Sequence, residues 1–237
     1  MSYRPSTIFS WNLKTSAKAP YAVRMRRLLK AARLAKRLGS GDLVALKTHF
    51  GEAGCSGFLA PLWLDPIIDF CRKSGAQPFL TDTATLYAGQ RRNAVCHSLT
   101  AAGHGFDPLL LKAPVIIADG LKGGYEGRVS VPGRHFRECY LAGGLLEADH
   151  LLVASHFTGH CLAGFAGALK NVAMGCASRK GKLLQHSGLA PRIESRRCDG
   201  CGRCVRACPT QALQLNDKGA VRLDASRCIC CAACLAE

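Results

Sequence analysis

The chain has 237 residues, of which 48% are hydrophobic, so it can bury one full core with a small module appended, and a disordered chain is excluded. Lys and Arg number 32 against 16 Asp and Glu, a formal charge of +16 that keeps an acidic partner or a polyanion in view. No run of about 18 uninterrupted apolar residues occurs, and the opening MSYRPSTIFSWNLKTSAKAP lacks the charged-then-apolar order of a signal peptide, so the sequence reads as cytoplasmic with no membrane partner.

The first predicted element is a basic helix. RMRRLLKAARLAKRLG sets Leu28, Leu29, Ala32, Leu34, Ala35 and Leu38 at helical spacing among Arg24, Arg26, Arg27, Lys30, Arg33, Lys36 and Arg37, and Gly39 stops it. A solvated face accounts for these charges, and nucleic acid is not favoured. After Gly41 and Asp42, LVALKTHF reads as a buried strand. WLDPIIDFCRKSG is then a helix stopped by Gly75, and PFLTDTATL a strand with a polar end. RRNAVCHSLTAAGHGF is a helix and APVIIADGL a strand closing on an acid, while FRECYLAGGLLEADHLLVASHF supplies one more helix and strand. Such alternation predicts an α/β fold over residues 1–190, a mixed or parallel sheet with helices on both faces, ahead of a small α+β module over 191–237.

Ligands of open α/β sheets bind beyond the carboxyl ends of the strands. His49 and Glu52 follow the first strand, Thr81 and Asp82 end the second, Asp119 ends the third, and Ser155, His156 and His160 follow the fourth. The reading faces them all into one crevice. Taken singly, each has a plain alternative as a helix cap, a surface group or a core histidine. The glycine-rich stretch over residues 156–183 is neither a P-loop nor a dinucleotide fingerprint, because Lys170 is followed by Asn171 and the spacing is wrong. Two histidines four apart, with Lys170 and Asn171 beyond, suit a metal or a small anionic ligand; a tight crossing that needs small residues is the alternative. His49, Glu52, Asp82, His156, His160, Lys170 and Asn171 are therefore the candidate catalytic set.

The chain carries 14 cysteines, most of them crowded near its end at spacings that suit metal binding better than disulfides. CDGCGRCVRACP has the C-x2-C-x2-C-x3-C-P spacing of bacterial ferredoxins. In two-cluster ferredoxins the fourth cysteine of such a run ligates the other cluster. On that rule Cys208, Cys228, Cys231 and Cys234 form one complete 4Fe-4S site, and Cys198, Cys201 and Cys204 hold a second that lacks its fourth thiolate. Zinc sites use two C-x2-C pairs and have no use for the third cysteine and the proline. Cys230 stands where the usual motif has Gly and reads as a passenger. Cys71, Cys96, Cys139 and Cys176 are expected to be buried small hydrophobes, as are Cys55 and Cys161, although these two lie beside the crevice.

KTHFGEAGCSGFLAP, TDTATLYAGQRRNA, IIADGLKGG and HFTGHCLAGFAGALKNVAMGCASRKGK together resemble the iron-sulfur proteins built on the domain of unknown function 362, in the same order along nearly the whole chain. The resemblance implies an α/β domain with no established reaction, followed by a two-cluster ferredoxin module. It also places the fourth cysteine of the second run just after Glu237, so the sequence is expected to be a fragment. The expected function is electron relay through 4Fe-4S clusters to or from the α/β domain, with a carrier such as ferredoxin or flavodoxin steered by the basic helix. The alternatives are a redox enzyme acting on a small anionic substrate in the crevice, and a nucleic-acid or maturation factor with structural clusters.

Overall fold

The computed structural model describes residues 6–12, 14–87, 89–160, 163–186, 190–231, 233–235 and 237. In chain order, the first part comprises α1 (Tyr21–Ala31), β1 (Leu43–Lys47), α2 (Asp65–Lys73), β2 (Gln77–Asp82), α3 (Ala94–Gly103), α4 (Pro108–Leu111) and β3 (Val115–Ile117). It continues with β4 (Glu126–Ser130), β5 (Glu138–Ala142), α5 (Gly143–Leu146), β6 (His150–Val153), β7 (Thr158–His160), β8 (Gly164–Ala166), α6 (Ala168–Ala173) and α7 (Arg179–His186). The cysteine region adds α8 (Arg203–Ala207), β9 (Leu213–Leu215) and β10 (Val221–Leu223).

A four-stranded parallel sheet in the order β3-β2-β1-β6 forms the centre. Its two inner strands are buried from Val44 to Lys47 and from Pro78 to Asp82, which is why each reads as an apolar run with a polar end. Helix α2 crosses from β1 to β2 with Pro66 in its first turn, and it buries Ile68, Phe70 and Cys71. Gly75, at φ +86°, then turns the chain into β2, in a conformation that a side chain would strain. Asn93 starts α3, its side chain accepting the Cys96 N–H at 2.9 Å. Leu46, Phe50, Leu64, Ile68, Leu80 and Phe106 pack between these elements as the main core.

Two predicted elements differ. The basic helix is not continuous: α1 ends at Ala31, Arg33 adopts a left-handed φ of 55°, and a single 3-10 turn follows over Leu34–Lys36. The break has a packing reason. No residue of α1 is fully buried, whereas Leu38 must enter a small core with Val44, Cys71 and Ala76, so the chain turns to deliver it. Of the helix and strand expected over FRECYLAGGLLEADHLLVASHF, the strand is β6, but the part before it is mainly strand β5, paired antiparallel with β4, with only one helical turn, α5, between them. Gly143 and Gly144 are there for close approach: a Cβ on the first would lie 2.5 Å from the Tyr125 ring, and on the second 3.2 Å from the Ala118 carbonyl.

Strands β7 and β8 form a short hairpin, and β9 and β10 another. Among the described residues no helix is long and apolar enough to cross a membrane.

Candidate functional site

The strand order reverses between β1 and β6, the position where open α/β sheets leave a crevice at their carboxyl edge. Here that crevice is filled from within. Lys47, the last residue of β1, is fully buried, and its Nζ lies 2.9 Å from Asp82 Oδ1. The same ammonium donates to the Thr48 carbonyl at 3.0 Å and to Asn171 Oδ1 at 2.6 Å. From α6, Asn171 turns its Nδ2 to the Ala154 carbonyl at 3.1 Å and to Ser155 Oγ at 2.9 Å, tying the end of β6 to the end of β1. Gly175 closes over this group, since a Cβ there would sit 2.5 Å from Lys47 Nζ.

Asp82 is the hub on the other side. Its Oδ1 accepts the Thr83 N–H at 2.9 Å, and its Oδ2 faces Arg91 Nη1 at 3.4 Å and His97 Nε2 at 3.6 Å. Arg91 reaches on to Glu52 and donates to the Tyr87 hydroxyl at 2.7 Å, and Tyr87 in turn donates to Glu52. A neighbouring group completes the edge. Asp119, after β3, accepts the Ala84 N–H with both oxygens, and Lys182 of α7 donates to Thr83 Oγ1 and the Ala177 carbonyl, each at 2.6 Å.

Burial and pairing set the charges. Burial alone would raise the Asp82 carboxyl, but Lys47, His97 and Arg91 outweigh it and hold the group far below the usual carboxylate range. Glu52 is lowered as well, since Arg91 overcomes the effect of its partial burial. Asp119, with less compensation, is pushed up by burial. Burial drives His49 down to about 4 with help from Arg91, and drives His97 down to about 4 against the pull of Asp82. Both imidazoles are neutral at pH 7. His49 Nδ1 accepts the Gly51 N–H at 3.0 Å, which leaves its proton on Nε2. Neither ring nitrogen of the buried His97 has a hydrogen-bond partner, a cost of about 1–3 kcal/mol for each buried polar group left unpaired. Burial also brings Lys182 down to about 8, with Asp119 opposing.

The expected catalytic set is therefore divided. His49, Glu52, Asp82 and Asn171 meet in one cluster at the carboxyl edge. His156 is exposed on the loop after β6. His160 on β7 has its imidazole lowered by burial, then by Lys170 and His186, which places these three together in a second group. Thr81 spends its hydroxyl on the Ile116 carbonyl at 2.7 Å, tying β2 to β3, and Ser155 accepts from Asn171. Residue choice alone did not single out Lys47, Arg91, His97 or Lys182. The available signal was Lys47 itself, a charge inside a strand that is otherwise apolar and buried on both faces.

In the cysteine region, Cys208, Cys228, Cys231 and Cys234 line one pocket with Cys230 and Leu213. Backbone amides point at sulfur: Ala212 N–H donates to Cys208 Sγ at 3.2 Å, and Val221 N–H to Cys198 Sγ at 3.4 Å. Burial raises the Cys208 thiol, but hydrogen bonds from Thr210 and from the Ala212 amide outweigh it, so the net shift favours the thiolate. The donor set has the chemistry of a thiolate-ligated cluster, although among the described residues no three His, Cys, Asp or Glu stand in a metal-holding arrangement. Cys230 has φ 52°, and Gly200, at the same place in the first run, has φ 71°. That left-handed turn explains why the motif prefers Gly there. Cys71 and Cys176 are buried, and burial raises Cys71 to about 11, while Cys96 and Cys139 are half-buried and Cys55 is exposed. Cys161 lies outside the described residues.

Neither a curated protein nor a solved structure matches the chain. A family model does, the one described as domain of unknown function (DUF362), and it matches residues 44–227, spanning the parallel sheet, the ion cluster and the first cysteine run. With well over half of its length matched, this chain belongs to the DUF362 family.

Proposed function

We propose that this protein is an iron-sulfur electron-transfer protein, with Cys208, Cys228, Cys231 and Cys234 holding one 4Fe-4S cluster and Cys198, Cys201 and Cys204 contributing to a second. The observation that carries the reading is one pocket lined by Cys208, Cys228, Cys231 and Cys234, with Cys230 beside them, the crossed set from two separate runs that ferredoxin-type spacing calls for. When bound, such a cluster supplies a site that accepts and returns one electron. The residues around it hold the sulfurs. The Ala212 amide donates to Cys208, the Cys230 amide donates to Cys228 at 3.4 Å, and Leu213 walls the pocket from water. The buried ion cluster then has a positioning role, fixing the carboxyl ends of β1, β2 and β6 through Lys47, Asp82 and Asn171.

An acidic carrier of the ferredoxin or flavodoxin kind suits the cations of α1, where Arg27 and Lys30 are exposed. Raising the ionic strength should then slow reduction by that carrier, and a rate indifferent to salt counts against the steering.

Anaerobic purification followed by iron and sulfide assays and EPR of the dithionite-reduced protein tests the central reading. About four or more irons per chain with a reduced-cluster signal are expected, and Cys208→Ser should abolish the cluster to which Cys208 contributes. Less than about one iron per chain after anaerobic reconstitution overturns it.

A further inference from the structure

Tyr87 belongs both to the buried ion cluster and to the wall of a separate pocket. That pocket is lined by Tyr87, Arg92, Asn93, Lys122, Arg179 and Pro209. Four distant stretches supply it: the segment between β2 and α3, the turn after β3, the first residue of α7, and the proline that follows Cys208. No carboxylate lines it. Among the described residues, Arg92, Lys122 and Arg179 form no ion pair, whereas Lys47 and Arg91 of the ion cluster are matched by Asp82 and Glu52. Asp119 Oδ2 lies near Gly123, as does the Arg179 stem, but Asp119 is not part of the lining, so the three cations give the concavity a net positive potential.

The site is built rather than incidental. The half-buried Arg179 has its stem against Gly123, where a Cβ would sit 2.4 Å from Arg179 Cδ and 2.5 Å from Cγ, and its N–H donates to the Gly123 carbonyl at 3.2 Å. Gly123 therefore leaves the room that the Arg179 stem occupies. Asn93 is held by its bond to the Cys96 amide, which fixes the start of α3 beside Arg92.

We propose that this pocket binds a small multivalent oxyanion, either a phosphate ester or a di- or tricarboxylate, gripped by Arg92, Lys122 and Arg179 at the seam between the α/β body and the cysteine module. Guanidinium groups suit this chemistry because each offers paired N–H donors to two oxygens of one anion. The bound anion touches Pro209, next to Cys208, so it would bridge the two parts of the chain. The inference goes beyond electron relay and does not depend on it, since the pocket stands on its own cations.

Calorimetric titration of the anaerobically purified full chain tests it, using pyrophosphate in one arm and citrate in the other at about 0.15 M ionic strength. Saturable binding of one or both is expected; preference for pyrophosphate assigns a phosphate ester, and preference for citrate a polycarboxylate. Arg92→Gln and Arg179→Gln should each weaken the preferred anion by about tenfold, and Lys30→Gln on α1 by less than about twofold. Arg179→Lys, which keeps the charge and the stem, should fall between wild type and Arg179→Gln, separating lost recognition from lost packing. Absence of saturable binding, or equal weakening by Lys30→Gln and Arg179→Gln, overturns the proposal. Iron assayed on the same samples keeps the two readings apart: normal iron without anion binding removes only this inference, and anion binding without iron removes only the relay.

Discussion

The carboxyl edge of the sheet and the cysteine module are two opposite answers to the cost of burying reactive groups. At the sheet edge Lys47 and Arg91 are answered by Asp82 and Glu52, and the whole sits on a core that includes Phe50, Leu64, Ile68, Leu80 and Phe106. In the module from Ser195 onward the buried hydrophobic residues are only Ala212, Leu213 and Val221 among those described. A segment of that size with so little buried apolar area is of the kind that a bound group would staple, whereas the α/β body has a packed core. The body therefore has a packed core of its own, and the proposed cluster would act on the module.

Withholding iron should separate the two regions most strongly. If the module depends on iron, chelation under mild oxidation should erase hydrogen-exchange protection at β9 and β10 while β1 and β2 stay protected. Equal protection with and without iron would show that the module stands alone and would remove the contrast.

Next in size is the converse experiment on the body. Asp82→Ala leaves Lys47 and Arg91 buried without their common partner, and should cost about 3–5 kcal/mol in denaturant unfolding. A loss under about 1 kcal/mol would mean that water or a rearranged Glu52 takes over, and the edge would not be the closed ion cluster described here.

Acid sharpens the comparison further. His97 titrates near 6.5 when unfolded and near 4 when folded, so between those values the unfolded chain binds the proton first. Stability from this neutral imidazole is present above about pH 6.5 and is lost as pH falls toward 4, by about 3 kcal/mol in total. His97→Phe should flatten that part of the pH profile, and an unchanged slope would assign the acid sensitivity elsewhere. His49, lowered by the same causes, adds a loss of the same sign.

The smallest effect is at Cys230. Cys230→Gly relieves a left-handed backbone and should stabilise the module by about 1 kcal/mol without lowering its iron content. Loss of iron in that variant would make Cys230 a ligand.

The sequence disclosed the elements whose signals are local. Strands β1 and β2 are apolar runs with polar ends, α2 stops at Gly75, and α3 begins at a capping Asn93, so each carries its own punctuation. The hairpin β4–β5 does not, because Tyr140, Leu141 and Gly143 fit a helical pattern until their antiparallel partner is known. Arg33 has no glycine to announce its turn; the turn is imposed by where Leu38 must go. The site was half legible for the same reason. Asp82 ends a strand and His49 and Glu52 follow one, so they announce themselves, whereas Lys47 signals only by being a charge at the end of an apolar strand. Its partner Asn171 lies 124 positions away, and only the fold shows that the two meet.

Asn171 also carries a direction. Its amide accepts from Lys47 with one end and donates to Ala154 and Ser155 with the other. Turned over, the same group would set an NH2 against an ammonium and a carbonyl against a carbonyl, so only one sense of insertion is compatible with its neighbours. Aspartate keeps the acceptor and loses the donor, leucine of similar size loses both, and glutamine has both but is one methylene too long. Position 171 thus works as a keyed plug that joins the chain just past β6 to Lys47 at the end of β1 in one orientation only.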